Sequence, residues 1–283
     1  MHTTLVSAAE LALHVEDPKW VVVDCRFDLS RPASGREAYA AGHIPGARYA
    51  HLDDDLSAKI TPDSGRHPLP EAHTLAATLG RFGIDNNTQV VAYDAGNGAY
   101  AARLWWLMRW LGSTSVAVLD GGFKAWTDAA LPVTTAIPTV MAAHFAATPR
   151  DAMLLDATAV GQRAADPSWR VLDARAPERY AGMVEPLDAK AGHVPGAHNY
   201  PFTGNLGPDG RFLPAVQLRA RLQQSLGAVP ADRAVMMCGS GVTACHNLLA
   251  LEVAGLMGAR LYAGSWSEWI RDPARPIALG PTP

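Results

Sequence analysis

Cysteine is scarce in this 283-residue chain: Cys25, Cys238 and Cys245 are the only three. An odd, sparse set cannot build a disulfide framework. None of the three stands in a CxxC pattern and no HExxH helix is present, so neither a metal site nor a cofactor is expected. Charge of one sign is also missing. Against 27 Asp and Glu stand 24 Lys and Arg, a net charge of -3, which offers no basic surface to nucleic acid or anionic membrane. No apolar run approaches the roughly 20 residues that span a bilayer. The opening stretch MHTTLVSAAELALHVEDPKW has no basic start and carries Glu10, Glu16 and Asp17 where a secretion signal would be apolar. A cytoplasmic protein is expected.

What the chain does have is apolar residues, 48% of the total, with eight tryptophans and 21 prolines, a composition suited to large cores. It also repeats itself. VVVDCR at 21–26 is echoed by RVLDAR at 170–175, and AYAAGHIPGA at 38–47 by DAKAGHVPGA at 188–197. VVAYDAGNGAYAARLWWL from Val90 matches AVMMCGSGVTACHNLLAL from Ala234, and LDGGFKAW ending at Trp126 matches YAGSWSEW ending at Trp269. A period of roughly 145 residues is too long for a solenoid and signals duplicated domains. The Pro-, Thr- and Ala-rich stretch at 131–149 lacks an amphipathic period, which makes it the expected linker between domains at 1–130 and 150–283.

Within each half, short apolar runs alternate with helical patterns. Strands are expected at 20–23, 89–93 and 116–119, with helices over 70–82, 98–111 and 121–129, and strands again near 169–173, 233–237 and 259–262. Continuously apolar strands separated by helices imply an α/β fold, a mainly parallel sheet flanked by helices in each domain. In such folds the reactive crevice lies at the carboxyl ends of the strands, and Cys238 stands at one of them.

The stretch CGSGVTA therefore merits a chemical reading. Gly239 and Gly241 allow successive backbone N–H groups to turn toward one point, and a helix starting near Val242 adds its unpaired N–H groups and the positive end of its dipole. Such a loop stabilises an anion, and a Cys238 thiolate held there is a nucleophile. Glycine-rich turns and buried free thiols are equally ordinary packing features, so the loop alone leaves catalysis and packing both open. Cys25 ends an apolar strand without a glycine cradle and reads as core. Cys245 lies inside the following helix and reads as packing.

Taken together, CGSGVTA after a strand, two GHxPGA segments and the paired tryptophan turns resemble the tandem-domain rhodanese family of sulfurtransferases, over nearly the whole chain. The loop is most similar to that of the 3-mercaptopyruvate-using members; thiosulfate-using members usually carry basic residues inside it. The resemblance implies two tandem rhodanese-like domains and a ping-pong reaction. A sulfane sulfur passes from a small anionic donor to Cys238 as a persulfide, then to a thiol, cyanide or protein acceptor, with neither nucleic acid nor membrane as partner.

The resemblance further implies roles for Ser240, Asp53 in HLDDD and His67 in GRHPLP beside the catalytic cysteine, for Arg179 in donor binding, and for Gly239, Gly241, Val242 and Thr243 as the loop that receives the donor. Asp94 occupies the place of Cys238 in the first half, which implies a noncatalytic first domain. Arg175 reads as a structural ion-pair residue. Mercaptopyruvate-type relatives often carry a second arginine about nine residues after the first, but here Asp188 stands there and Lys190 is the nearest following cation. Three alternatives remain: a thiosulfate:cyanide sulfurtransferase, a noncatalytic sulfur carrier, and a cysteine phosphatase. The last would need an arginine where this chain has Ala244.

Overall fold

The computed structural model describes residues 1–283, and the chain divides into two compact units. The first comprises Met1–Ala58, Pro70–Arg150 and the short segment Pro208–Phe212. The second comprises Lys59–Leu69, Asp151–Gly207 and Leu213–Pro283. Each half of the chain thus lends a loop to the unit of the other half, which no local sequence pattern signals. Residues 131–149, expected as a linker, lie in the first unit. There the amides of Ala143 and Thr148 donate to the carbonyls of Gly80 and Leu111, and Phe145 is buried.

The first unit is built on β1 (Leu5–Val6), β2 (Trp20–Asp24), β3 (Arg48–Tyr49), β4 (Gln89–Tyr93) and β5 (Val116–Leu119). They form one all-parallel sheet in the order β1-β5-β4-β2-β3. Side chains alternate between its faces. Val22, Val91, Ala117 and Leu119 pack with Leu11, Tyr39 and Trp126, while the intervening Val21, Val23, Val90, Ala92 and Val118 are buried just as deeply. Burial of both sets explains why these strands read as continuous apolar runs and places helices over both faces. Three of the connecting helices are Ala72–Arg81, Ala101–Trp110 and Gly122–Asp128.

The second unit repeats the plan with β6 (Arg170–Asp173), β7 (His198–Asn199), β8 (Ala234–Met237) and β9 (Arg260–Leu261), all parallel in the order β7-β6-β8-β9. A single parallel bridge from Leu154 to Leu261 stands where the first unit has all of β1. Both units are α/β, with the longer strands where the apolar runs predict them. The two-residue strands β1, β3 and β7 are too short to show any period.

The echoed GHxPGA segments have a structural explanation. His43 stacks on Tyr39 with ring centroids 4.0 Å apart, and His193 on Tyr180 at 3.9 Å. Each imidazole Nδ1 lies within hydrogen-bond distance of that tyrosine's carbonyl, and each tyrosine hydroxyl donates to the closing alanine carbonyl, Ala47 or Ala197. The pairs Asp24–Arg26 and Asp173–Arg175 repeat likewise, each guanidinium also donating to a glycine carbonyl, Gly42 or Gly192. These are braces of the fold. No helix is long and apolar enough to cross a membrane.

Candidate active site

Strand β8 delivers Cys238 to the carboxyl edge of the second sheet, buried and facing the start of helix Thr243–Val253. The turn between them depends on glycine. Gly241 has φ +77°, and a β-carbon there would come within 2.2 Å of the Ala263 carbonyl oxygen. That conformation aims the Gly241 amide at Cys238 Sγ, 3.1 Å away. The Cys238 amide donates to Ser265 Oγ at 3.0 Å, while the Cys238 and Gly239 carbonyls accept from the amides of Trp266 and Ser267. Ser265 itself sits at φ +53°, a costly conformation for a residue with a side chain. Its hydroxyl, which also donates to the Tyr262 carbonyl, holds it there. Val242 caps the helix and Thr243 is its first residue. Cys245, one turn on, is fully buried with Sγ against the Gly241 carbonyl.

The loop Lys59–Leu69 belongs to this unit and reaches the same place. His67 is buried with Nδ1 2.8 Å from Ser240 Oγ, so this sequence-predicted pair is brought together. Its neighbour Arg66 anchors its own amide on Ser267 Oγ at 3.0 Å. Gly65 fits against the Gly264 carbonyl, where a β-carbon would come within 2.6 Å.

The guanidiniums form a linked group beside the loop. Arg179 donates through Nε and Nη2 to Glu185, at 2.6 Å for the shortest contact, and through Nη2 to Asp188 at 3.2 Å. Asp188 also pairs with Arg66 Nη1, so one carboxylate bridges two arginines. Arg175 grips Asp173 with two nitrogens, reaches Glu185 at 3.4 Å, and lies 4.9 Å over the Trp266 ring. Burial acts to lower the Arg175 pKa, but Asp173, Glu185 and the Cys238 sulfur together hold it above its usual value. Burial pushes the Asp188 carboxyl up against the pull of Arg66 and Arg179. The same burial would raise Glu185, yet hydrogen bonds from Arg179 and from the Leu187 and Asp188 amides bring it below the ordinary range. Lys190 is exposed; its carbonyl accepts from Trp266 Nε1.

The first unit shows the same turn with another occupant. Phe123 N–H donates to the Asp94 carbonyl as Trp266 N–H does to Cys238, which makes the two positions equivalent. The buried Asp94 carboxylate accepts from four amides, those of Gly96, Gly98, Tyr100 and Ala101, at 2.9–3.2 Å. This turn reaches its helix two residues later than the one after Cys238, but it demonstrates what such a turn holds: an anion at a helix start. Asp53 also lies in the first unit, on the exposed turn after β3, with its amide toward His51 Nδ1 at 3.2 Å. It is not among the residues of the second unit.

Comparison with known proteins agrees with both sheets and both echoes. The model of the rhodanese-like domain matches residues 7–129 and again 156–272. The chain belongs to the rhodanese family. A Pseudomonas aeruginosa protein provisionally named 3-mercaptopyruvate sulfurtransferase is 49% identical, with 98% of each chain covered. A Mycobacterium tuberculosis protein provisionally named thiosulfate sulfurtransferase SseB is 41% identical over 98% of this chain and 97% of its own. The crystal structure of the 3-mercaptopyruvate sulfotransferase SseA from Escherichia coli superposes with a TM-score of 0.81 at 31% identity, covering 94% of this chain and all of that one.

Two residues of this rhodanese site escape sequence reasoning. Arg66 adjoins His67 in GRHPLP, but nothing local shows that its loop folds into the second unit. Ser265 had a signal: in the echoed LDGGFKAW and YAGSWSEW it stands where the first half has Gly122, which adopts φ +57°. A serine kept in a glycine conformation marks a side chain with work to do.

Proposed function

We propose that the chain is a sulfurtransferase that takes the sulfur of 3-mercaptopyruvate onto Cys238 and passes it to a thiol, cyanide or protein acceptor. The observation that carries this reading is the Cys238 sulfur at the end of β8 with the Gly241 amide on it, next to guanidiniums suited to a carboxylate. The Cys238 thiolate attacks the donor sulfur, the donor's carbon–sulfur bond breaks, and its electrons leave as the enolate of pyruvate. The proton of the donor thiol goes to the enolate carbon, so the products are pyruvate and a Cys238 persulfide anion. Atoms and charge then balance.

Within this proposal Arg179 holds the donor carboxylate, and Gly239, Gly241, Val242 and Thr243 shape the turn that receives it. Ser240 and His67, 2.8 Å apart, orient the donor's thiol and carbonyl end and handle its proton. The resemblance assigns Asp53 to the same relay. The Asp94 carboxylate in its four amides supports the persulfide step, because Cβ–Cγ–Oδ of aspartate has the same connectivity as Cβ–Sγ–Sδ of a persulfide. A domain at 1–130 without its own chemistry, a catalytic domain at 150–283 and a cytoplasmic setting complete the reading, the last supported by three free thiols.

The expectation that the loop lacks cations holds only for its own residues: Arg66 and Arg179 border Gly239 from outside. That favours either anionic donor over none. The choice between them rests on shape, since the fork of a guanidinium matches a planar carboxylate. Comparison of kcat/KM for 3-mercaptopyruvate and thiosulfate with one acceptor tests it. A higher value for 3-mercaptopyruvate is expected, and a higher one for thiosulfate would move the enzyme to the other donor.

A further inference from the structure

We infer that the stretch 183–190 carries on its outer side the docking surface for a protein acceptor, a small protein that presents a reduced cysteine within an apolar surface of its own. The inference rests on the sulfurtransferase reading, whose second half needs a thiol brought to Cys238.

The two echoed segments isolate this stretch. Tyr39 and His43 stand four residues apart, whereas the equivalent Tyr180 and His193 stand thirteen apart. The second unit thus carries nine extra residues, although the stacked tyrosine and histidine at their ends are the same in both units. Gly182 and Gly192 bracket them, both at positive φ, +75° and +116°. The first unit closes the same brace without them, so they serve something that only the unit of Cys238 does.

Their polarity runs opposite to that of a folded core. Glu185 and Asp188 are turned inward onto Arg66, Arg175 and Arg179, with side chains only 4% exposed. Glu185 also accepts from the Leu187 and Asp188 amides, and the Glu178 carbonyl accepts from those of Met183 and Val184. The apolar side chains are the ones left in solvent: Met183, Val184 and Leu187 are between 45% and 77% exposed. Leu279 extends this face, since its Cδ2 lies 2.5 Å from where a β-carbon on Gly182 would stand, and it too is exposed. Single exposed leucines are ordinary, but four large apolar side chains gathered on one segment and its neighbour mark an interaction site.

Location decides the occupant. Arg179, gripped by both carboxylates of the stretch, reaches to 3.5 Å from the place of a β-carbon on Gly239, the residue after the nucleophile. Cys238 itself is buried, so an acceptor thiol has to be carried in to it. Cyanide and small thiols have nothing to lay on an apolar face. A polyanion gains nothing there either, because the exposed charges that flank the face are one of each sign, Glu178 and Lys190. An uncharged apolar collar fits the apolar surface around the cysteine of a protein thiol. In the step itself the acceptor thiolate attacks the outer sulfur of the Cys238 persulfide and the sulfur–sulfur bond breaks. The electron pair returns to Cys238 as its thiolate, and the acceptor leaves as a persulfide anion.

The test is the double variant Met183→Gln, Leu187→Asn, which removes apolar surface without adding charge beside the donor site. Reduced thioredoxin serves as the protein acceptor and cyanide as the small one, each with 3-mercaptopyruvate as donor. The KM for reduced thioredoxin should rise about tenfold in the double variant, with transfer to cyanide and the KM for 3-mercaptopyruvate unchanged. Equal loss with both acceptors would mean that these side chains only support the fold, and would overturn the docking surface. So would an unchanged KM for thioredoxin, or a parent that serves cyanide but not thioredoxin; in each of those cases the sulfurtransferase reading stands. A parent that passes sulfur to neither acceptor defeats both.

Discussion

A thiol at a strand end becomes a reagent only if its neighbours fix its backbone and its charge, and here each neighbour can be removed separately. Cys238→Ser should abolish persulfide formation without unfolding the protein, since a hydroxyl cannot carry the sulfur and the size change is small. Intact-mass measurement after donor treatment checks it. Ser265 offers a finer test. Ser265→Ala keeps the strained φ of +53° and leaves the buried Cys238 amide without its acceptor. Ser265→Gly loses the same bond but relieves the strain, so it should be the more stable variant by about 1 kcal/mol, measured by denaturant melts. The reverse order would mean that the hydroxyl does not hold that turn. Asp94→Ala should leave sulfur loading intact yet cost about 2 kcal/mol of stability, because four amides lose their carboxylate. Loss of loading in that variant would give the first unit chemistry of its own.

At the scale of elements, the two strand-to-helix turns show how glycine decides what a turn can hold. Gly241→Ala would force φ +77° on a side chain whose β-carbon meets a backbone carbonyl at 2.2 Å. Nothing at that spot is flexible. Destabilisation of about 2 kcal/mol or more is expected, together with loss of the amide that faces Cys238; a melting curve equal to that of the parent would contradict the packing described. The elements themselves were legible in the sequence where they were long enough to show a period. Strand β4, buried over all five residues, reads as VVAY between turn signals, while β3 and β7, two residues each, carry no pattern. The repeat made Cys238 legible by contrast with Asp94. Arg66 was not legible, because its place depends on the loop Lys59–Leu69 joining a unit whose other residues begin only at Asp151. Asp188 looked like a missing arginine and proves to be the carboxylate that links two others.

Over the whole molecule, the large buried aromatic content sets a limit on the alkaline side. All seven tyrosines have phenols pushed upward, in each case by burial first, with Tyr49, Tyr100 and Tyr180 reaching about 12. The unfolded phenol ionises near 10. Above that pH the unfolded chain releases protons that the folded one keeps, so stability falls with rising pH. It should be undiminished by this cause below about pH 10 and lost progressively as pH climbs through about 12, which urea melts across that window would show. A stability that stayed level through the window would mean that the tyrosines ionise without unfolding.

The central claim is that Cys238 receives a sulfur from a carboxylate-bearing donor. Its most direct test is the intact mass of the protein after incubation with 3-mercaptopyruvate, alongside Cys238→Ser treated in the same way. One added sulfur, mapped by peptide analysis to Cys238 and absent from the serine variant, is the predicted result. A parent that gains no sulfur, or a variant that gains one all the same, would contradict it.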